Sequence, residues 1–279
     1  MRAAELLGLP DISFIEPNFE SLVDKSFDNQ LFPANAESSI VLVDEQEYPL
    51  AYGIQVSGRW VFTNFLLRQP SPMIFDEFER IGGRVFQEEW DVWMSAVREY
   101  FCMMLIRDSP PAMEDYSAGR MEQVTSLIES NWGRGEGTVC LDVGCGSGIG
   151  SVALRELGYL PLAFDNDPSQ LALGLTTGRL DPSYTMCVDA TAASRYMNPS
   201  PLAICLMAGT LDPTNEWVWK RIMDQILVVA ERAMITVGME GETEFIVKWC
   251  QEKGREVKVF ENERDPFYDR WVCLIEPSD

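Results

Sequence analysis

Three carboxylates and three glycines stand where their types and spacing could do chemistry. Asp142 lies near the end of the apolar run 138–143. Gly144, Gly146 and Gly148 follow at alternate positions, with Cys145 between the first two, and residues 151–157 carry a helical pattern. Asp165 comes 23 residues after Asp142, at the end of the apolar run 160–164, and Asp189 ends the run 185–188. Alternate glycines let a ligand lie against bare backbone, and the helix behind them offers unpaired N–H groups. A dinucleotide fingerprint, G-x-G-x-x-G, fits poorly: counted from Gly144 its third position falls on Ile149, and from Gly146 on Ser151. Asp142 would also set negative charge beside a pyrophosphate, whereas the same charge suits a ligand bearing an ammonium or a sulfonium. The chain has no histidine, so the commonest general base and the commonest transition-metal ligand are both missing. No metal site is expected, and any proton transfer falls to Asp, Glu, Tyr, Lys or Cys.

The strand, Asp142-x-Gly144-x-Gly146-x-Gly148 and helix resemble the first motif of the class I S-adenosylmethionine (SAM) methyltransferases. That resemblance covers about residues 112–279 and implies SAM as cofactor. It implies that Asp142, the loop residues Gly144, Cys145, Gly146 and Gly148, and Asp165 with the adjoining Asn166 hold the cofactor, Asp165 accepting from the ribose hydroxyls. Asp189 would accept from the adenine amino group, with the Ala190 N–H on a ring nitrogen. The segment before the first strand often covers the methionine end of the cofactor in this family, which makes Tyr116 and Arg120 candidates for that contact. The fourth strand ends on Met207, which the resemblance counts among the cofactor-binding residues, and the family places acceptor chemistry at this strand end. Amino-group methyltransferases acting on bases or glutamine carry N/D-P-P-Y/F there, and this chain has Met207-Ala-Gly-Thr-Leu-Asp212-Pro213, which argues against planar-nitrogen acceptors. Asp212 is either a general base or the cap of the following helix.

The elements that must position these residues alternate strand and helix from residue 112 onward. Such alternation demands a mostly parallel sheet covered by helices. The apolar runs near 256–260 and 270–275 are joined by a loop with no helix and must be antiparallel neighbours. The expected fold is α/β, a seven-stranded Rossmann-like sheet with its last strand reversed, preceded by an N-terminal α+β region. Ser109-Pro110-Pro111 marks the boundary: residues 1–110 form a substrate-recognition region that supplies much of the acceptor pocket, and 111–279 form the cofactor-binding core. Within 1–38, prolines (Pro10, Pro17, Pro33) and isolated aromatics (Phe14, Phe19, Phe27, Phe32) suggest short helices and loops. Residues 39–67 read as three strands, the last two a hairpin turned at Ser57-Gly58. From Phe78 to Leu105 the apolar spacing predicts one long helix, buried between two layers and kinked at Gly82-Gly83.

The net charge of −22, from 22 Lys+Arg against 44 Asp+Glu, is shared between the halves. It repels nucleic acid and anionic membrane alike, so neither is expected as a partner. Seven cysteines without a C-x-x-C fit a reducing cytoplasm better than a disulfide framework. Glu5 interrupts what would be the apolar stretch of a signal peptide, and no apolar run approaches the ~20 residues of a spanning helix. The reading is a SAM-dependent methyltransferase acting on a small molecule. A protein side-chain acceptor, or an inactive scaffold of the same fold, is the alternative, and a nicotinamide-dependent dehydrogenase ranks third. Oligomeric state is not legible.

Overall fold

The computed structural model describes residues 2–30 and 35–277; Phe32 and Pro33 lie outside them. The chain divides into two compact units, residues 1–104 and 105–279, and each is built around its own sheet.

In the first unit, α1 (Arg2–Leu6) and β1 (Ser13–Phe14) precede β2 (Ser38–Val43), β3 (Pro49–Val56) and β4 (Arg59–Asn64). The last three form an antiparallel meander. Ser57 and Gly58, both at positive φ, make the tight turn that matches the strand twist. β1 runs parallel beside β4. The long helix expected from Phe78 to Leu105 is instead helix, strand, helix: α2 (Met73–Ile81), β5 (Gly83–Gln87) and α3 (Trp90–Asp108). Gly82, at φ +74, closes α2 in a conformation that L side chains resist, and a Cβ on Gly83 would sit 2.3 Å from the Ser39 carbonyl. The two glycines therefore end a helix and let an edge strand pair with β2. Val85 on that strand is exposed, so its apolar side chain fitted a helical stripe without belonging to one. α2 sets Ile74 and Phe78 against Val41, Tyr52 and Ile54, while the part of α3 in this unit stacks Tyr100 and Phe101 on Phe14.

The second unit opens with α4 (Ala118–Trp132) and then alternates: β6 (Val139–Val143), α5 (Ile149–Glu156), β7 (Leu160–Asp165), α6 (Pro168–Thr176), β8 (Thr185–Cys187), β9 (Ser200–Cys205), α7 (Glu216–Val229), β10 (Ala230–Val237), α8 (Glu240–Glu252), β11 (Glu256–Glu261) and β12 (Trp271–Glu276). The sheet order is β11-β12-β10-β9-β6-β7-β8. Only β12 is reversed, as expected; it is inserted between β10 and β11 and antiparallel to both. Strand β6 lies inside the sheet between β9 and β7, with Cys140 to Val143 all buried, the mark of a parallel strand covered on both faces. Met121, Val124, Leu127 and Ile128 of α4 pack with Ala153 and Leu154 of α5 in one core that reaches Leu202, Met234 and Val272 of the sheet. The order of strands reverses direction between β6 and β9, and there an open α/β sheet leaves a crevice outside its carboxyl ends. Among the described residues no helix is long and apolar enough to cross a membrane.

Candidate active site

The turn from β6 into α5 is held open by three residues with left-handed backbone: Gly144, Gly146 and Gly148 at φ +65, +52 and +93. A Cβ built on Gly144 or Gly146 meets no atom within 4 Å, so bare backbone faces open space. At Gly148, the N-cap of α5, a Cβ would strike Leu180 at 2.7 Å; this glycine is required by packing behind the loop. The turn is braced from β7. Gly144 N and Cys145 N donate to the Phe164 carbonyl, and Gly146 N donates to Asp165 Oδ2 at 2.9 Å. Asp167 N donates to Asp165 Oδ1 at 2.8 Å, so each oxygen of Asp165 is used once and keeps accepting capacity.

Over this turn lies a cleft of about 380 Å³, within the size range of small-ligand sites. Of the residues proposed from sequence, Arg120, Asp142, Gly144, Cys145, Gly146, Asp165 and Met207 line it, and Asp115, Ser147, Asp167 and Gln170 join them. Asp142 is 2 % exposed; it accepts from Ser151 Oγ at 2.7 Å, and a Cβ on Gly150 would approach its Oδ1 to 2.9 Å. Burial pushes its carboxyl up to about 6, against the opposing Ser151 hydrogen bond and with the help of the Asp165 charge. Asp115 takes the Ser147 hydroxyl at 2.7 and 2.9 Å. Behind it, the buried Arg179 pairs with Glu114 at 2.7 Å and lies 3.6 Å from Asp115. Hydrogen bonding from Tyr116 N, then from Arg179, holds the Glu114 carboxyl below the usual carboxylate range.

Arg120, the cleft's guanidinium, has its Nε on Asp269 at 3.2 Å and its Cζ 5.0 Å from the Tyr268 ring centroid. Asp269, 1 % exposed, also takes the N–H of Met207 at 3.0 Å and the hydroxyl of Thr236. Met207 needs that tether, because its backbone is left-handed at φ +49, a strained state for a non-glycine residue that persists only where neighbours enforce it. Among the described residues the cleft is thus lined by four carboxylates, Asp115, Asp142, Asp165 and Asp167, against one guanidinium that Asp269 already pairs.

Other proposed residues are placed differently. Tyr116 lies against Arg179, 5.8 Å from its Cζ to the ring centroid, and is not among the lining residues. Asn166 is exposed and outside the lining. Asp189 caps the 3-10 turn Ala190–Arg195 by accepting from Thr191 N at 2.8 Å, and neither it nor Ala190 lines the cleft. Asp212 accepts from the Thr214 N–H at 2.7 Å and from the Thr214 hydroxyl. Those bonds hold its carboxyl below the ordinary range and close the turn before α7, whose N-cap is Asn215; Asp212 is not among the residues that line the cleft. Sequence reading missed Asp115, Gln170 and Asp269. Asp115 sits in an aperiodic stretch before α4. Gln170 looked like any polar residue in a first helical turn, yet it lines the cleft with its Oε1 buried and unpartnered. Asp269 had one signal, its place just before the last strand.

No family model matches the chain, and no curated protein does. Solved structures are similar to it. Magnesium protoporphyrin IX methyltransferase from Synechocystis PCC 6803, with bound SAM, is 18% identical over 66% of this chain and 96% of its own, at a TM-score of 0.44. Ribosomal protein L11 methylase from Lactobacillus delbrueckii subsp. bulgaricus is 16% identical over 59% of this chain and 81% of its own, at 0.45. A Pyrococcus horikoshii protein assigned provisionally to RNA methylation is 12% identical over 65% and 99%, at 0.46. Likenesses this distant decide neither cofactor nor acceptor for this chain; its own strand order and the lining of its cleft bear on both.

Proposed function

We propose that residues 105–279 bind S-adenosylmethionine and that the protein is a methyltransferase with a small-molecule acceptor. One observation supports this above the others: the glycine turn opens into a cleft of four carboxylates and one paired guanidinium. Such a lining repels a pyrophosphate and attracts a ligand carrying a sulfonium and an ammonium. The donor set fits that ligand. Asp165 has acceptor capacity left for ribose hydroxyls, the unpartnered amide oxygen of Gln170 suits an amino group, and Asp115 and Asp142 flank the turn where an ammonium would lie. Bound there, SAM would supply an electrophilic methyl group open to in-line attack by an acceptor lone pair, the sulfur leaving as a neutral thioether.

The chain's own part is alignment and exclusion of water, and orientation alone can lower a barrier by ~7–11 kcal/mol. With no histidine in the chain and Asp212 engaged with Thr214, an acceptor that reacts as a neutral amine or an acidic hydroxyl suits the site, since it needs a weak base or none. The large negative charge supports the absence of a nucleic-acid acceptor. The test is transfer of label from methyl-labelled SAM into cell extract divided into small-molecule, protein and nucleic-acid fractions. Label is expected in the small-molecule fraction. Label in one protein band would replace the acceptor class, label in RNA or DNA would overturn the charge argument, and no transfer to any fraction despite tight SAM binding would favour a scaffold.

A further inference from the structure

Beside the cleft, the loop joining β11 to β12 is built with unusual rigidity for a surface turn. Asn262 N donates to the Arg270 carbonyl and Asn262 Nδ2 to the Asp269 carbonyl. Asp265 Oδ1 accepts from both Phe267 N and Tyr268 N at 2.9 Å. The Arg264 carbonyl is held by Gln123 of α4. Asn262, Asp265 and Asp269 are all buried, yet the side chains this frame presents are two large rings: Phe267 is 78 % exposed and Tyr268 48 %. A loop that spends three buried polar side chains on fixing its backbone, while holding two aromatic rings in solvent, has the form of a preorganised recognition element.

Its position gives the rings a task. Asp269 tethers the Met207 N–H at the end of β9, Tyr268 stacks on the Arg120 guanidinium that lines the cleft, and the Phe267 carbonyl lies 3.5 Å from the Cβ position of Gly238, at the end of β10. Met207 and Met239, exposed at these two strand ends, add polarizable apolar surface. Tyr268 thus adjoins the cleft through Arg120, and Phe267, its neighbour in the chain, stands with its carbonyl beside the end of β10. The neighbouring lining contributes Asp115, Asp142, Asp165 and Asp167, a field that disfavours an anion.

We propose that Phe267 and Tyr268 form the acceptor subsite and that the acceptor is a planar aromatic molecule, neutral or cationic, held by ring stacking. This deepens the methyltransferase reading and rests on it. A protein segment is the other chemistry an aromatic surface takes. A small flat molecule is favoured because the backbone carrying the rings is fixed from within and Tyr268 stands on the guanidinium that lines the cofactor cleft.

Ligand-observed NMR on the full chain saturated with S-adenosylhomocysteine tests it, with quinoline, cyclohexanol and naphthalene-2-carboxylate as fragments. Quinoline is expected to bind, and the aliphatic alcohol and the aromatic anion to bind more weakly. Phe267→Ala should weaken quinoline about 2- to 12-fold, the range for losing one aromatic pair, and Phe267→Trp should restore it. Calorimetry with S-adenosylhomocysteine on the same variants separates the two readings. Cofactor binding with no preference for quinoline, or a preference that Phe267→Ala leaves intact, overturns the subsite alone. Loss of cofactor binding in the unmodified protein overturns the methyltransferase reading beneath it.

Discussion

Around Arg68 and around Asp142 the chain buries carboxylates in two different ways. In the first unit Arg68 donates to Glu16 at 2.7 Å and to Asp28 at 3.0 Å, with all three side chains at 1 % exposure or less. Its remaining Nη1 bonds the Leu22 carbonyl, while Glu16 also takes the Thr63 hydroxyl and the Asn64 N–H. Every charge there is answered by another part of the chain. In the second unit Asp142 is as deeply buried but receives a hydroxyl from Ser151, Asp165 receives backbone donors, and Asp115 receives the Ser147 hydroxyl with Arg179, itself paired to Glu114, 3.6 Å away. Among the described residues the lining of the cleft offers these carboxylates one cation, Arg120, and Asp269 pairs it. The difference separates carboxylates buried directly against a guanidinium for architecture from carboxylates held mainly by neutral donors at an open cleft, where a positive ligand can add to the balance.

If that distinction holds, mutations in the two places fail differently. Arg68→Ala strands two buried carboxylates, and removing one partner of such a group costs about 3–5 kcal/mol; thermal melting should show a large loss of stability. Asp165→Ala should lower SAM affinity by about 1.5–3 kcal/mol, the value of hydrogen bonds to a charged acceptor, as read by calorimetry. Because Asp165 also accepts from Gly146 N and Asp167 N, the same variant should lose ~1–3 kcal/mol of ligand-free stability, whereas sequence alone would assign this carboxylate to the ligand only.

pH sharpens the comparison. Burial raises the Asp142 carboxyl to about 6. The native state therefore holds a proton there that the unfolded chain has lost, and stability from this group declines as pH rises from about 4 through 6. Affinity for a cationic ligand moves the opposite way, rising as Asp142 ionises through pH 6, and Asp142→Asn should flatten that rise in a titration series. The smallest effect is expected at Asp212. Its carboxylate caps the turn before α7, so Asp212→Ala should leave turnover unchanged, and a collapse of turnover with normal SAM binding would return it to the chemistry.

Much of the second unit was legible because its signals are local. β6, the glycine turn and α5 are adjacent in sequence, and strand ends point to the crevice without knowledge of packing. What was illegible depends on distance in space. Asp269 reaches Met207 across 62 positions and Arg120 across 149, and nothing in either neighbourhood announces the other. In the first unit, Val85 and Phe86 fall on a helical spacing by coincidence, and only the need of β2 for a partner turns them into a strand. Asp189 shows the ambiguity of a strand-end carboxylate: its Oδ1 accepts from Thr191 N as a cap, a contact that the sequence position alone does not distinguish from a ligand role.

The excess of negative charge in the second unit's cleft should select a cationic adenosyl ligand over a pyrophosphate-bearing one. Isothermal titration of the full chain at about pH 7.5, where Asp142 is ionised, with SAM, S-adenosylhomocysteine and NAD tests this most directly. One site per chain for both adenosyl compounds and no heat with NAD is the expected result. Binding of NAD with neither adenosyl compound would contradict the account.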